Sequence, residues 1–198
     1  MRWKAIVVPA FSSLFVLIAA HAVSQVVPSA EKRVIPFAVG GGFSSYLPDR
    51  GNGRMLGDTL WIDYRPVFLT RLLPGISIEA EAHGIDFNRS SSQPNVREDT
   101  FSGGVNYRWS RYRNFRPYGK FLLGYGSIDF LPAGSYGHDT RTVTSTGGGV
   151  EYRVFHNVWV RADYEYQFWP DIFGHRVLNP QGVTVGAMYD FAPYHRRR

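Results

Sequence analysis

The sequence contains no cysteine and, after its first 22 residues, no long apolar run. The lack of cysteine excludes disulfides, thiolate metal sites, a cysteine nucleophile and an N-terminal lipid anchor on cysteine. The lack of a later apolar run of ~20 residues excludes a membrane-spanning helix there. A large excess of one charge is also missing from the body of the chain. The formal net charge is +6, but Arg2, Lys4 and the three arginines at 196–198 supply most of it. Basicity therefore does not indicate a nucleic-acid partner.

Aromatic residues, glycine and proline are abundant instead. The 198 residues include 16% aromatics, 21 glycines and 12 prolines. This composition favours many strands joined by turns over helices, and the length suits a single domain.

The first 22 residues have the features of a secretory signal peptide. Arg2 and Lys4 precede an uncharged, mostly apolar stretch over 5–20, and Ala20 and Ala22 supply small residues for cleavage. An uncleaved membrane anchor is the alternative, although the run is short for a spanning helix. The predicted organisation is a signal peptide at 1–22, an N-terminal lead at 23–32, a barrel at 33–192 and a basic tail at 193–198.

Eight segments alternate between apolar and polar residues, which is the period of a β-strand. The clearest is NVWVRADYEYQF at 157–168, where Val158 to Phe168 alternate with Trp159 to Gln167. The eight predicted strands are about 34–46, 59–68, 75–87, 99–110, 116–130, 140–154, 157–168 and 181–191.

Charged residues lie on the polar faces of these strands. The set consists of Asp63, Arg65, Glu79, Glu81, Arg108, Lys120, Glu151, Arg153, Arg161, Asp163, Glu165 and Asp190. A soluble, lipocalin-like barrel would turn these charges to water and bury the apolar faces. A membrane barrel would turn the apolar faces to lipid and the charges to its lumen.

Three features favour the membrane barrel. Strand lengths suit a tilted crossing, and the signal peptide places the chain outside the cytoplasm. Aromatic residues also gather near the strand ends, as in interfacial belts. They are Tyr107, Trp109, Tyr152, Tyr189 and Phe191 at one end and Tyr46, Phe130, Tyr166 and Phe168 at the other.

The connections indicate an orientation. The connections 47–58, 88–98, 131–139 and 169–180 are long, and those at 69–74, 111–115 and 155–157 are short. Because long and short connections alternate, we expect all long loops at one end of the barrel. Outer-membrane barrels have long loops outside and short turns in the periplasm, which places both termini in the periplasm.

Several segments resemble the OmpA-like outer-membrane β-barrel family. They are RPYGKFLLGYG (116–126), GGGVEYRV (147–154), VWVRADYEYQF (158–168) and GVTVGAMYDF (182–191). The resemblance implies an all-β, eight-stranded antiparallel up-and-down transmembrane β-barrel, and we expect it in the outer membrane of a Gram-negative cell. A peptidoglycan-binding domain is not expected after the barrel, so the anchoring role of longer relatives is not implied. The resemblance also implies insertion by the outer-membrane assembly machinery, for which Phe191 matches the terminal aromatic signal. The stretch 192–198 departs from relatives that end at this aromatic.

Two strand registers can be predicted from the short turns. If Val154 faces Val158, Glu151 lies opposite Arg161 in the lumen; if Phe68 faces Ile76, Arg65 lies opposite Glu79. Such pairs would neutralise charges inside a plugged, eight-stranded barrel. The alternative is a narrow, porin-like ion path in which ion pairs exchange partners.

Other chemistry has weaker support. His138 or His175 near Ser135 could suggest a lipid-modifying enzyme, and His83 with Glu79 and Glu81 could suggest a metal site. We expect neither, and no cofactor. The expected function is an envelope-structural or surface-interaction role as a monomer. The expected partners are outer-membrane lipid and lipopolysaccharide. The phosphates of lipopolysaccharide could be contacted by the loop arginines Arg50, Arg54, Arg89, Arg97, Arg141 and Arg176; the alternative is that these loops are simply solvated.

Overall fold

A computed structural model describes residues 36–49, 53–87, 95–109, 114–131, 137–174 and 176–192. The predicted signal peptide, lead and basic tail lie outside these residues. The strands are β1 (Phe37–Leu47), β2 (Met55–Tyr64), β3 (Ile76–Phe87), β4 (Asn95–Arg108), β5 (Phe115–Leu131), β6 (Gly137–Arg153), β7 (Val158–Ile172), β8 (Arg176–Leu178) and β9 (Gln181–Asp190). Among the described residues there is one helix, α1 (Val67–Leu72).

Eight of these strands form a closed antiparallel barrel. Each strand from β1 to β7 pairs with the next, and β9 pairs with both β7 and β1 to close the sheet. The short β8 pairs only with the loop end of β7. The predicted eight-stranded up-and-down barrel is confirmed, and its closure pairs every barrel strand with a neighbour on each side.

The burial pattern is the inverse of that of a soluble barrel. In β7, Trp159, Arg161 and Asp163 are buried, whereas Val160 and Tyr164 are exposed. The outward faces carry large apolar side chains; Phe43, Phe101 and Tyr125 are 79%, 65% and 68% exposed. An apolar outer band around a polar interior is the arrangement of a transmembrane barrel and contradicts the lipocalin-like alternative.

Glycines make room for two large indole rings inside the barrel. A Cβ on Gly40 would overlap the ring of Trp61, and a Cβ on Gly126 would overlap the ring of Trp169. Both tryptophans are buried. Gly40 therefore has a packing role in β1, as expected for a strand glycine that faces a bulky neighbour.

The structure corrects several details of the expected fold. Val67 and Phe68 belong to α1 and not to β2, so the connection 65–75 is the longest at its end of the barrel. Strands β4 to β7 extend into the predicted long loops, and the strict alternation of long and short connections is lost. Tyr46, expected in an outer aromatic belt, is fully buried in the interior. No helix of the described residues has the length and hydropathy needed to cross a membrane.

A charged cluster inside the barrel as the candidate functional site

The barrel interior is layered along its axis. An apolar cluster of Ala38, Trp61, Trp159 and Met188 is buried among charged groups toward the short-turn end. At the loop end, two further apolar clusters contain Tyr46, Met55 and Ile85, and Ile128, Val143, Trp169 and Ile172. The charged residues predicted from the sequence gather between the apolar loop-end layer and the short turns.

All twelve predicted lumen charges lie in described strands or directly beside them. Ten are buried, namely Asp63, Glu79, Glu81, Arg108, Lys120, Glu151, Arg161, Asp163, Glu165 and Asp190. The other two, Arg65 and Arg153, are half-buried at the short-turn end. Charges buried to this degree are costly unless they are paired, so their partners determine what the interior can do.

Lys120 is the centre of the first group of ion pairs. Its Nζ lies 2.5 Å from a carboxylate oxygen of Glu81, 2.5 Å from one of Glu165 and 2.7 Å from one of Asp163. The side chain of Lys120 is 0% exposed. One ammonium therefore connects β5 with β3 and β7 through the interior of the barrel.

Arg161 forms a second group beside the first. Its Nη2 lies 2.7 Å from Glu79 and 3.1 Å from Asp163, and its Nε donates a 2.5 Å hydrogen bond to the Tyr118 hydroxyl. The guanidinium also lies over the Trp61 ring at 4.8 Å from the centroid. These contacts satisfy both the charge and the flat faces of the guanidinium.

Arg108 forms a third group nearer the short turns. Its Nε donates to Glu151 at 2.9 Å, its Nη1 donates to the Ser77 hydroxyl at 2.8 Å, and its Nη2 donates to Asp63. Closer to the turns, Arg65 pairs with Asp190. The side chain of Arg153 donates to Asn114 at 2.6 Å.

One predicted register is correct and the other is wrong. Glu151 lies opposite Arg161 in the β6–β7 ladder, as expected. Their side chains nevertheless have other partners: Arg161 donates a hydrogen bond to Glu79, and Arg108 donates one to Glu151. The expected opposition of Arg65 and Glu79 is wrong, since Asp63 faces Glu79. The cause is α1, which removes Val67 and Phe68 from the strand and lengthens the turn.

The arrangement of Glu81, His83 and Glu165 resembles a metal-binding set. One possible ligand atom from each lies within 4.8 Å of the others. His83 Nε2 is 2.9 Å from Glu81 and 3.5 Å from Glu165. The ammonium of Lys120 already contacts both carboxylates, so it supplies the positive charge that a metal ion would bring. The geometry is therefore that of an ion-pair cluster. Glu79, which the sequence suggested as a third metal ligand beside Glu81 and His83, forms an ion pair with Arg161.

The histidines considered for catalysis lie at the loop end. His138 is half-exposed, and its Nδ1 contacts Asp129 at 2.6 Å. Ser135 and His175, the other residues considered for catalysis, lie outside the described residues.

Two of the loop arginines are neutralised locally. Arg97 lies 2.8 Å from Asp99, and Arg141 lies 3.1 Å from Asp139. Arg54 donates to the Ser45 hydroxyl at 3.3 Å. Arg176 is exposed, whereas Arg50 and Arg89 lie outside the described residues.

Phe191 continues the edge of the last barrel strand. Its amide donates to the Phe37 carbonyl at 2.9 Å, and its ring packs on Tyr189 with centroids 4.8 Å apart. The side chain is 41% exposed on the outer face. It therefore belongs to the aromatic belt at the short-turn end.

Three inward residues were absent from the predicted charge set. Arg116 stacks over the Trp159 ring, 3.5 Å from its centroid, and lies 3.7 Å from Asp190. His83 belongs to the Lys120 group, and Glu98 is buried near the loop end. The period-two pattern places Arg116 on the face of Lys120 and His83 on the face of Glu81, and this signal was sufficient to find both. Glu98 fell in a stretch that looked like a polar loop.

Closed antiparallel strands, an apolar outer band and a charged interior define a transmembrane β-barrel protein. The family model described as "Outer membrane protein beta-barrel domain" matches residues 13–191. The chain therefore belongs to this family of outer-membrane proteins, and its barrel is of the OmpA-like type.

Solved structures support the same fold. Neisserial surface protein A (NspA) matches with a TM-score of 0.66 at 15% identity, over 80% of this chain and 99% of that one. Ail, the attachment invasion locus protein of Yersinia pestis, matches at 0.56 and 17% identity, over 77% and 96%. The N-terminal β-barrel domain of Pseudomonas aeruginosa OprF matches at 0.53 and 16% identity, over 79% and 100%. No curated protein matches the sequence.

Proposed function

We propose that this chain is a non-enzymatic outer-membrane barrel whose interior is closed by its own charged side chains. Its role is in envelope structure or in surface interaction through the connections at the loop end. The observation that carries the proposal is the Lys120 group, in which one fully buried ammonium contacts carboxylates from β3 and β7.

The ion pairs support closure because they reach across the interior. The β5 residue Lys120 and the β7 residue Arg161 both contact acids of β3, which is not an adjacent strand. An eight-stranded barrel has an interior just wide enough for side chains to fill. An ion that passed along this route would have to displace groups that are paired at 2.5–3.1 Å.

The two ends of the barrel support an orientation. Apolar and aromatic side chains remain exposed up to the short turns, including Trp109, Phe155 and Phe191. At the loop end, outward charges such as Asp86, Arg97 and Asp99 interrupt the apolar face while the strands continue. Strands that project beyond the lipid favour an extracellular loop end, with both termini in the periplasm.

The proposed division of the chain into signal peptide, lead, barrel and tail is consistent with termini in the periplasm. A signal peptide at 1–22 and a lead at 23–32 would deliver the barrel at 33–192 to the periplasm, with 193–198 remaining as a tail there. The mass of the mature protein checks the division, since cleavage after residue 22 removes a defined fragment.

Two partners are proposed from the surface. Arg54 and Arg176 are exposed at the loop end and form no ion pair with a described carboxylate, so they are the arginines best suited to lipopolysaccharide phosphates. Phe191, exposed beside Tyr189, is suited to recognition by the assembly machinery. Within the barrel, every strand is hydrogen-bonded on both sides over the band that faces lipid, which fits a monomer.

Planar-bilayer recordings on the folded protein test closure. We expect little steady current from the unmodified protein and from Arg161→Ala, because the other interior side chains still fill the barrel. A heat-modifiability gel establishes that each sample is folded before recording. Large, stable openings of the unmodified protein would replace the closed barrel with the porin-like alternative.

A further inference from the structure

A cavity of about 380 Å³ lies at the loop end of the barrel. It lies beyond the charged groups described above. Met55, Ile128 and Ile172 form part of its wall, and all three side chains are almost fully buried. Asp49, Phe173 and Arg176 also line the cavity and are exposed, so they mark its rim. A mostly apolar concavity of this size is in the range of small-molecule sites.

One carboxylate lies in the wall of this cavity. Glu98 of β4 faces inward between Ile85 and Ile128 on the neighbouring strands. Its exposure is only 4%. Among the residues that the structure describes, none forms a hydrogen bond or an ion pair with this side chain. This distinguishes Glu98 from Glu79, Glu81 and Glu165, each of which contacts a buried cation.

An unpartnered buried carboxylate is expensive, and a cation placed beside it would lower that cost. Burial raises the pKa of Glu98 to about 7. The remaining charged groups that line the cavity are Asp49 and Arg176, which oppose each other in sign and lie at the rim. The buried part of the wall is therefore apolar apart from one acid, which complements an apolar body bearing a single ammonium group.

We propose that this cavity is a binding site for a small apolar molecule that carries one protonated amine. The apolar body would pack against Met55, Ile128 and Ile172, and the ammonium would donate to the Glu98 carboxylate. No residue of the Lys120 group lines the cavity. The two proposals can therefore fail separately: absence of amine binding would leave the closed barrel unaffected, and conductance would leave the amine site unaffected.

The test compares 3-phenylpropylamine with its neutral analogue 3-phenylpropan-1-ol. Each is titrated onto the folded full chain in lipid nanodiscs and followed by ligand-observed NMR, with empty nanodiscs as the measure of partitioning into lipid. We expect the amine to bind the protein at least tenfold more tightly than the alcohol. Equal affinity of the two compounds, or no binding above that of empty nanodiscs, would overturn the proposal.

Two variants locate the site. Glu98→Gln should weaken the amine at least tenfold and leave the alcohol unchanged, because it removes only the charge. Asp86→Asn is the matched control, since it removes a carboxylate from the outer face of the neighbouring strand. It should change neither affinity. An unchanged amine affinity in Glu98→Gln, or an equal loss in Asp86→Asn, contradicts the assignment.

A third variant reports on the cavity itself. Val96 lines the cavity and packs against both loop-end apolar clusters. Val96→Phe should reduce the binding of the amine and of the alcohol together, because it fills the space that the phenyl ring requires. Folding of this variant is verified by heat modifiability. Full binding of both compounds to folded Val96→Phe would place them elsewhere on the protein.

Discussion

The middle and the loop end of the barrel interior are lined by the same strands but have different chemistry. Along β3, the inward residues change from Glu79, Glu81 and His83 to Ile85. Along β7, they change from Arg161, Asp163 and Glu165 to Trp169 and Ile172. The middle of the interior is therefore held by ion pairs, and the loop end is held by apolar contacts.

An inward-facing position in this barrel therefore does not specify a polar side chain. In the middle layer every cation is surrounded by acids from several strands, so removal of one member exposes several others. In the loop-end layer the neighbours of a side chain are interchangeable methyl, methylene and ring groups. The exception is Glu98, a buried carboxylate like those of the middle layer that lies among the apolar side chains of the loop-end layer.

Loss of Lys120 should have the largest effect. Lys120→Met keeps the length of the side chain but leaves Glu81, Asp163 and Glu165 without their shared ammonium. We expect the free energy of unfolding to fall by roughly 3–5 kcal/mol, as for a broken buried ion pair. Urea unfolding in detergent micelles measures it.

Arg97→Met is the matched control for Lys120→Met. Its guanidinium pairs with Asp99 on the exposed outer face. A change within about 0.5 kcal/mol is expected there. Similar losses in both variants would remove the distinction between interior and surface ion pairs.

Replacement of Glu98 should make the stability less dependent on pH. The pKa of Glu98 is about 7 in the folded protein, against an ordinary value of 4.5. Glu98 lies beside the outward charges Arg97 and Asp99, outside the apolar band. Between pH 4.5 and about pH 7, the Glu98 carboxyl of the folded protein keeps a proton that it has lost in the unfolded chain. The free energy of unfolding therefore falls as the pH rises through this range.

Glu98→Gln should abolish that fall. Relative to the unmodified protein, the variant should gain roughly 3 kcal/mol between pH 4 and pH 8, from ~1.4 kcal/mol for each pH unit of separation. Unfolding curves at several pH values measure the difference, with Asp86→Asn as the exposed control. Parallel pH profiles for Glu98→Gln and the unmodified protein would mean that this acid is not destabilised by burial.

A double-mutant cycle should separate register neighbours from ion-pair partners. Arg161 lies opposite Glu151 in the sheet but contacts Glu79. We expect a coupling free energy of about 1–3 kcal/mol for Arg161→Ala with Glu79→Ala, and a smaller one for Arg161→Ala with Glu151→Ala. A larger coupling free energy for Arg161 with Glu151 than for Arg161 with Glu79 would support the cross-strand ion pair that the turn predicted.

Among the interior substitutions, the smallest effect is expected in the apolar layer. Ile128→Val removes one methylene from a side chain that is 1% exposed. We expect the free energy of unfolding to fall by about 0.5–1.5 kcal/mol and the pH dependence of the stability to stay unchanged. The same unfolding measurements provide the value. A loss as large as that of Lys120→Met would indicate that the loop-end layer is packed as critically as the charged layer.

The eight strands and the direction of most side chains could be predicted because strand alternation is a local property. The pattern of 157–168 alone places Arg161 and Asp163 on one face and Val160 and Tyr164 on the other, and the structure agrees. Tyr46 was placed wrongly because the glycines of β1 hide the alternation. The β2–β3 register failed because α1 could not be distinguished from a continued strand in an apolar sequence.

The barrel class, the number of barrel strands and the identity of most inward charges could be predicted from the sequence, since each depends on residues close together in the chain. Which acid binds which base depends on the three-dimensional arrangement of the strands. Arg161 and Glu79 are 82 positions apart, and their contact depends on how strands from different parts of the chain meet across a closed sheet. The loop-end cavity and the solitary Glu98 were decided in the same way, because a cavity is defined by the space that distant side chains leave between them.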